Sequence, residues 1–279
     1  MPETRHVTDA ERAAFATDGV VCLRAALDPA AVAAMSEPVE TALASRAMAD
    51  LSGLGGDATA GGKFAGGVDH WKEQPEFAAF ACTGDLPRLV AELLGTPDLW
   101  LYEDSVLVKE PNTPARTMWH QDLGYFHVTG EQLATTWCPL DPATPESGAV
   151  RYVRGSHRWD ATYRPNLFVT EDLIPGTEGE VVPDVDALVA AGDAEVVTFD
   201  TVPGDVVVHH ARTLHAAGGN TSATTRRRVI SVRYVGADAR TKIRPGAPRK
   251  SHQEAWSDGS PFTVMTAADH PQVWPVAAS

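Results

Sequence analysis

The sequence predicts a mainly β protein with flanking helices, whose strands form a jelly-roll barrel. Helical patterns fill roughly the first third of the chain, and from Leu99 onward short strand-like runs follow one another, separated by Pro, Gly and Asp. Helices followed by closely spaced strands favour a barrel with the helices packed outside it. The length of 279 residues suits one such domain.

The first predicted helix begins at a capping box, Thr8-Asp9-Ala10-Glu11, in which the two end residues satisfy each other's backbone N–H groups. We expect this helix to run through Phe15 and to be broken at Asp18-Gly19. The apolar run Val20-Val21-Cys22-Leu23 then predicts a buried strand.

Two further helical stretches are predicted before the strands begin. An Ala-rich helix runs from Pro29 to about Asp50, because Pro suits the first helical turn, and Pro38 predicts a kink within it. The Gly-rich segment from Leu51 to Gly67 predicts a loop. Helical periodicity returns from Glu76 to Leu94 and stops at Gly95.

The strand-rich part gives the expected domain its core. The candidate strands are Trp100 to Val108, Leu133 to Cys138, Ala149 to Val153, Glu195 to Phe199, Val206 to Leu214 and Arg228 to Val235. We expect a single domain over residues 1–279, with a helix-rich part at about 1–98, a jelly-roll core at about 99–240 and a C-terminal extension at 241–279. The long polar segment from Ala161 to Ala194 predicts a lid or a binding loop.

Composition excludes several classes of function. The net charge of −14 argues against nucleic-acid binding, which needs a basic surface. Cys22, Cys82 and Cys138 are odd in number and widely spaced, which predicts free thiols in a reducing compartment. The polar N-terminus and the absence of a long apolar run predict neither a signal peptide nor a membrane segment. We therefore expect a cytoplasmic protein with no membrane partner; the sequence does not indicate an oligomeric state.

One short motif, Trp119-His120-Gln121-Asp122, predicts a metal site. Residues two apart on a strand point to the same face, so His120 and Asp122 converge. A third ligand is expected from His215, 95 positions later beside a Gly-rich turn, with His209 and His210 as rivals. Two imidazoles and one carboxylate leave three open positions on an octahedral metal, the arrangement that non-haem Fe(II) oxygenases use.

A cluster of three arginines, Arg226 to Arg228, opens the last long strand-like run. Most charge runs are solvated turns. A side chain that points inward, however, offers a planar fork that binds a carboxylate through two hydrogen bonds. Alternation puts Arg227 on one face of the strand and Arg226 and Arg228 on the other, and the sequence leaves open which face is inward.

Taken together, several short pieces resemble the phytanoyl-CoA dioxygenase family of Fe(II)- and 2-oxoglutarate-dependent oxygenases. The pieces are, in order, Phe15 to Val21, Lys109-Glu110-Pro111, Trp119 to Asp122, Gly155-Ser156-His157, Pro203-Gly204-Asp205, His215 to Asn220 and the Arg-rich strand start. The resemblance covers most of the chain. It implies a double-stranded β-helix core of the jelly-roll, cupin-like type, with His120, Asp122 and His215 as iron ligands.

The same resemblance implies a 2-oxoglutarate site. The family's cosubstrate arginine commonly lies about 11 residues after the distal His, which indicates Arg226, whereas alignment on the following strand indicates Arg227. We favour Arg227, because strand register is constrained more tightly than loop length. Trp137 matches an aromatic residue beside the cosubstrate. The chain departs from the family in having Ala216-Ala217 where Gly-Ser is common.

The implied function is oxidation of an unactivated C–H bond, by hydroxylation or another reaction, with Fe(II), 2-oxoglutarate and O2 as cofactor and cosubstrates and with succinate and CO2 as products. The presence of Asp122 argues against halogenation. The expected partner is a small metabolite or natural-product intermediate. One of Arg116, Arg151, Arg154, Arg158 and Arg212 is a candidate for an anion contact, while exposed salt bridges are the expected role of most of them. The alternatives are a non-catalytic metal-binding jelly-roll module and an iron oxygenase that does not use 2-oxoglutarate.

Overall fold

The computed structural model describes residues 5–52, 61–262 and 267–275. In chain order its α-helices are α1 (Asp9–Asp18), α2 (Pro29–Ala34), α3 (Ser36–Leu43), α4 (His70–Glu73), α5 (Pro75–Cys82), α6 (Asp85–Leu94) and α7 (Val185–Ala191). Its strands are β1 (Val20–Leu23), β2 (Met48–Asp50), β3 (Phe64–Val68), β4 (Leu99–Lys109), β5 (Thr117–His120), β6 (Val128–Thr129), β7 (Leu133–Pro139), β8 (Val150–Val153), β9 (Val196–Thr198), β10 (Val206–His210), β11 (His215–Ala217), β12 (Arg227–Gly236), β13 (Arg240–Thr241) and β14 (Gln272–Trp274).

Two antiparallel sheets form the core, so the predicted mainly β class with flanking helices is confirmed. The larger sheet has the strand order β1-β10-β7-β12-β4-β3-β2, with β14 also paired to β4. The smaller sheet has the order β5-β11-β8-β9. A third pair, β13 with β6, is short.

The two faces of the larger sheet have different roles, as β12 illustrates. Ile230 and Val232 pack into an apolar cluster with residues of α1, α2, α3, α5 and α6. The intervening residues Arg227, Ser231 and Arg233 line a pocket on the opposite face. Because neighbouring residues of a strand point to opposite faces, one strand supports both the helix layer and the candidate site.

The first helix starts as the sequence predicts. Thr8 caps α1, its hydroxyl accepts a hydrogen bond from the Glu11 N–H, and the Glu11 carboxylate accepts one from the Thr8 N–H. The helix continues past Phe15 to Asp18. It ends where Gly19 adopts φ 73°, a left-handed conformation that glycine adopts without steric cost.

The predicted helix from Pro29 to about Asp50 is wrong in its second half. It consists of α2 and α3, which meet at Met35, and the residues Met48–Asp50 form strand β2 instead. Pro38 lies in the first turn of α3, where a missing N–H leaves no intrahelical hydrogen bond unmade, so it does not kink the helix. The predicted helix from Glu76 to Leu94 is likewise two helices, α5 and α6, the second ending at Gly95 as expected.

The predicted loop from Leu51 to Gly67 is wrong at its end, where Phe64–Val68 forms β3 between β2 and β4. Glycine is needed there for close approach of neighbouring backbone: a Cβ on Gly67 would lie 2.4 Å from the Ala47 carbonyl oxygen. Residues 53–60 of this predicted loop lie outside the described residues.

The predicted strand from Val206 to Leu214 is two strands in different sheets. β10 ends at His210, and the chain turns through a hydrogen bond from the Thr213 N–H to the His210 carbonyl before β11 enters the smaller sheet. The other five candidate strands are present with ends shifted by one residue or so. Of the described residues, no helix is long and apolar enough to cross a membrane.

Candidate metal centre

Two histidines that are far apart in sequence are direct neighbours in the smaller sheet. In the antiparallel pairing of β5 with β11, His120 lies opposite His215. Their ring centroids are 4.1 Å apart. Side chains of directly opposed residues stand on the same face of a sheet, so the register itself brings the two imidazoles together.

Asp122 joins them from a short turn. It begins a 3-10 turn just after β5 rather than lying on the strand, so the motif does not follow pure strand alternation. Its Oδ1 is nevertheless 3.8 Å from the Nε2 of His120 and 3.6 Å from the Nε2 of His215. One ligand atom from each of the three buried residues lies within 4.8 Å of the others, a spacing that suits a metal ion.

Hydrogen bonds orient both imidazoles toward this point. The Nδ1 of His120 is 2.7 Å from the Met118 carbonyl oxygen, and the Nδ1 of His215 is 2.9 Å from the Thr213 carbonyl oxygen. Each Nδ1 therefore carries the proton and each Nε2 has a free lone pair. Burial lowers the pKa of His120 to about 3 and that of His215 to about 4, so both are neutral near pH 7, as metal binding requires.

The carboxylate of Asp122 is held by two neighbours on its other oxygen. The Thr135 hydroxyl donates a hydrogen bond to Oδ2 at 2.5 Å, and the Nε2 of His209 lies 3.3 Å from the same atom. Burial alone would raise the pKa of Asp122, but His215, His209 and Arg233 outweigh it and lower the pKa well below its usual range. Asp122 is therefore ionised.

The two rival histidines lie in different surroundings. His209 contacts the far oxygen of Asp122 and is not in the three-residue cluster. The Nε2 of His210 is 3.0 Å from the Glu131 carbonyl oxygen. The geometry thus brings His215, rather than either rival, to His120 and Asp122.

Behind the three residues lies a buried space, called here the inner pocket, which Arg227 closes. Arg227 is 2% exposed, and its Nε has no hydrogen-bond partner among the described residues. Burial lowers the pKa of Arg227 to about 10. The guanidinium carbon lies 5.8 Å from the ring centre of Trp137, whose indole Nε1 is also buried without a partner. Two buried donors in one pocket indicate a missing acceptor.

The neighbouring arginines of the cluster point away from the inner pocket. Arg226 forms ion pairs with Glu40 at 2.6 Å and Glu110 at 2.8 Å. Arg228 binds Asp141 at 2.7 Å. Of the two arginines that the sequence leaves open, Arg227 is therefore the one inside the pocket.

A second buried cation, Lys109, was missed by sequence reasoning as a site residue. It lies opposite Arg227 in the β4–β12 pairing, and its ammonium donates a hydrogen bond to the Gly218 carbonyl at 2.6 Å. Burial, and then Arg227, lowers its pKa well below the usual lysine range. The sequence signal was a lysine directly after the apolar residues Val106 to Val108. Ala216 and Ala217 line the inner pocket, whereas Lys109 is not among the described residues that line it.

Phe168 was also missed, because it belongs to the long polar segment between Ala161 and Ala194. Its ring meets His120 edge-on with centroids 5.2 Å apart, and its carbonyl accepts a hydrogen bond from the Met118 N–H. Its φ is 68°, a left-handed backbone conformation that is rare for a bulky residue. Such strained conformations occur most often at functional sites. Part of the predicted binding loop thus covers the metal centre.

A larger space of about 540 Å³, called here the outer cavity, adjoins the inner pocket. Leu107, His120, Asp122, Phe168 and Arg233 line both spaces, so they meet at the metal centre. The volume lies within the range of small-molecule sites. The five arginines singled out from sequence as anion contacts are not among the described residues that line either space.

Comparison with known proteins extends these observations. The family model described as "Phytanoyl-CoA dioxygenase (PhyH)" matches residues 15–229. A "Probable alpha-ketoglutarate-dependent hypophosphite dioxygenase" of Stutzerimonas stutzeri is 30% identical over 142 residues, which are 47% of this chain and 43% of that protein. An "L-proline trans-4-hydroxylase" of Streptomyces griseoviridis is 30% identical over 162 residues, which are 53% of this chain and 60% of that protein. The chain thus spans about half the length of these relatives.

Solved structures agree with the fold. The α-ketoglutarate-dependent carbocyclase SnoK from nogalamycin biosynthesis has a TM-score of 0.74 at 23% identity, covering 96% of each chain. The epimerase SnoN, in complex with Fe3+, α-ketoglutarate and nogalamycin RO, has a TM-score of 0.72 at 22% identity, covering 95% of this chain and 98% of that one.

The predicted jelly-roll core is confirmed by these neighbours. The first of the relatives and the carbocyclase are themselves named as α-ketoglutarate-dependent proteins, in line with the predicted cosubstrate. The family model covers most of the chain, including both histidines, the aspartate and Arg227 of the candidate site. The chain belongs to the phytanoyl-CoA dioxygenase family.

Proposed function

We propose that this protein is an Fe(II)- and 2-oxoglutarate-dependent oxygenase that hydroxylates, or otherwise oxidises, an unactivated C–H bond of a small metabolite or natural-product intermediate. The observation that carries the proposal is that one pocket contains a buried His-Asp-His cluster and the buried Arg227, whose Nε has no partner among the described residues. A closed structural metal site does not require such a guanidinium beside it.

The residues of the cluster fit iron. His120 and His215 would each offer a neutral Nε2 and Asp122 one carboxylate oxygen, which suits Fe(II) and leaves open positions. Thr135 and His209 hold the other carboxylate oxygen, so that Oδ1 faces the metal point. Such supporting contacts raise metal affinity and keep the ligand geometry.

The inner pocket fits the cosubstrate. Arg227 would bind the distal carboxylate of 2-oxoglutarate through its planar fork, with Trp137 alongside. Arg226, the alternative from sequence, is already neutralised by Glu40 and Glu110. When bound, iron and 2-oxoglutarate activate O2 for C–H oxidation and the cosubstrate leaves as succinate and CO2.

The outer cavity would hold the substrate against the metal centre. Phe168 and Leu107 give it apolar walls next to His120, and these exclude water from the reacting carbon. Relatives named for hypophosphite and for L-proline, and a neighbour named with a nogalamycin compound, support a small-molecule substrate.

We also propose that residues 1–279 form a single oxygenase domain, with a helix-rich part, a jelly-roll core and a C-terminal extension. Three free cysteines favour a reducing, cytoplasmic location, and neither nucleic acid nor a membrane is expected as a partner.

Anaerobic titration with Fe(II) and 2-oxoglutarate tests the proposal. We expect the weak visible charge-transfer band that the iron chelate of a 2-oxo acid produces. His120→Ala should remove the band together with bound iron. The matched control is His6→Ala, which changes an exposed histidine outside the site. Absence of the band from the unaltered protein, with metal content unchanged in His120→Ala, would contradict the proposal. Bound metal that gives no band and is lost in His120→Ala would support the non-catalytic metal-binding module instead.

Product analysis separates the remaining alternative. Consumption of O2 with stoichiometric succinate supports the proposal. Oxidation of a substrate without succinate would indicate an iron oxygenase that does not use 2-oxoglutarate. Screening small metabolites by coupled succinate release then identifies the substrate.

A further inference from the structure

Arg233 lies where the inner pocket meets the outer cavity. It follows Arg227 by six residues on β12, so the two side chains share a face of the sheet. Its register partners are Glu103 on β4 and Thr135 on β7, and Thr135 is the residue that binds Asp122. Arg233 is therefore beside the metal centre, on the side that faces the outer cavity.

A bulge in the sheet accompanies Arg233. Arg233 pairs with Glu103 and Tyr234 with Leu101, so the extra residue of the bulge is Tyr102 of β4. Bulges bend the strand that holds the extra residue, and they are common next to binding sites. Tyr102, like Arg233, lines the outer cavity.

The guanidinium of Arg233 lacks a full set of partners. Its Nη1 donates to the Ser105 hydroxyl at 2.6 Å, but its Nε is buried with no hydrogen-bond partner among the described residues. The nearest oxygen of Glu103 is 3.8 Å away, beyond hydrogen-bond distance, while the other Glu103 oxygen binds Lys250 at 2.8 Å. An unpaired buried donor is costly, and an oxygen of a ligand in the outer cavity would satisfy it.

Like Arg233 itself, two other residues that line the outer cavity are positively charged. The described residues that line it include three cations, Arg233, Arg249 and Lys250. Lys250 is neutralised by Asp69 at 2.7 Å and Glu103 at 2.8 Å. The charge of Asp122 is directed at the metal point. The lining cations that remain for a substrate are thus Arg233 and Arg249.

We propose that Arg233 binds a carboxylate of the substrate, so that the substrate class is a small organic acid. This inference rests on the proposed function, in which Arg227 is occupied by the cosubstrate and Arg233 remains for the substrate. The planar fork suits a carboxylate approached through Nε and a terminal nitrogen. Binding there fixes one end of the substrate beside the iron and brings a carbon near the carboxylate to the metal.

The test uses the anaerobic protein saturated with Fe(II) and 2-oxoglutarate, so that the inner pocket is filled and a probe has only the outer cavity. The probes are butyrate and cyclohexanecarboxylate, each paired with its uncharged amide, and propylphosphonate. Binding is followed by the change in the visible band and by the thermal unfolding midpoint. We expect carboxylates to bind roughly 10- to 100-fold more tightly than their amides.

Three variants separate the role of Arg233 from general effects. Arg233→Gln should abolish the preference for carboxylate over amide and leave 2-oxoglutarate affinity within about twofold, whereas Arg233→Lys should keep part of it because the charge remains without the fork. Arg212→Gln, outside both spaces and also bearing a buried Nε without a partner, should behave as the unaltered protein.

Several results would overturn the inference. Equal affinity for acids and amides, no binding of any acid, or a preference that survives Arg233→Gln each contradict it. If propylphosphonate binds more tightly than the carboxylates and this binding depends on Arg233, the substrate class would be a phosphonate rather than a carboxylic acid. Loss of 2-oxoglutarate in Arg233→Gln but not in Arg227→Gln would make Arg233 the cosubstrate residue. Failure of the unaltered protein to bind Fe(II) and 2-oxoglutarate instead contradicts the proposed function. Thermal shifts of the metal-free chain by the same acid–amide pairs, compared between Arg233→Gln and Arg227→Gln, then still test Arg233.

Discussion

His120 and His215 are register partners in the pairing of β5 with β11, and this single alignment sets the distance between the two imidazoles. A shift of one residue would turn one side chain to the other face of the smaller sheet. Each Nδ1 donates its hydrogen bond to the carbonyl two residues earlier in its own chain segment, that of Met118 for His120 and that of Thr213 for His215. The position of the two histidine ligands is therefore set by strand pairing, and the turn after β5 places Asp122 beside them.

Loss of one imidazole should remove metal. We expect His215→Ala to weaken Fe(II) binding by at least about 100-fold, because only two of three protein ligands remain and supporting contacts alone are worth about 10- to 100-fold. Equilibrium dialysis with metal analysis measures this. His210→Gln is the control, since His210 is as buried but its Nε2 faces the Glu131 carbonyl. Equal iron content in both variants would contradict the ligand assignment.

The hydroxyl of Thr135 should contribute to metal affinity without touching the metal. Thr135→Val removes the hydrogen bond to Asp122 Oδ2 while keeping the shape of the side chain. We expect Fe(II) affinity to fall about 10- to 100-fold, again measured by dialysis. Thr136→Val, at the next residue of β7, removes a hydrogen bond to the Val232 carbonyl instead and should leave Fe(II) affinity unchanged. A similar loss in both variants would indicate a general effect on the sheet.

Local patterns were enough to predict the fold class and the pair His120 and Asp122, whereas His215 was preferred over its rivals His209 and His210 with the support of the family resemblance. The capping box of α1, the apolar runs and the Pro-Gly-Asp punctuation act within a few residues, so they can be interpreted from sequence. Strand β3 could not be predicted, because its glycines favour a loop locally and its pairing with β4 decides the outcome.

The finer features of the site depend on tertiary structure. Choosing Arg227 over Arg226 requires the inward face of β12, which alternation alone leaves open. Phe168 reaches His120 only because a long segment folds back over β5, and Arg233 gains its place next to a bulge. Neither event has a local sequence signal, since both depend on residues far away along the chain.

Arg227 should oppose stability and favour cosubstrate binding. Arg227→Met removes a buried charge without a partner and should raise the free energy of unfolding of the ligand-free protein by on the order of 1 kcal/mol. The same change should weaken 2-oxoglutarate binding about 10- to 100-fold, because a charge-assisted pair is lost. Urea unfolding and titration of the visible band measure the two effects. For Arg226→Met, an unchanged 2-oxoglutarate affinity is expected; a loss there with none in Arg227→Met would reverse the assignment.

Asp104 should make the stability of the fold depend on pH. It is fully buried; its Oδ1 accepts a hydrogen bond from the Trp71 N–H, and its Oδ2 has no partner among the described residues. Burial raises the pKa of Asp104 from 3.8 to about 7, with Asp69 and Glu103 adding to the rise. The folded protein therefore holds this proton at pH values where the unfolded chain releases it.

The sign of the effect follows from this difference. The contribution of Asp104 to the free energy of unfolding is fully present below about pH 4 and is lost as the pH rises to about 7, by at most about 4 kcal/mol. Asp104→Asn keeps a neutral side chain at every pH, so it should exceed the unaltered protein in stability at pH 8 and match it near pH 4. Urea unfolding of both proteins across this range measures the difference, in which pH effects from other groups cancel. Asp160→Asn, at an exposed carboxylate, should show no such pH-dependent difference, and a difference of the same size there would attribute the effect to net charge rather than to the buried Asp104.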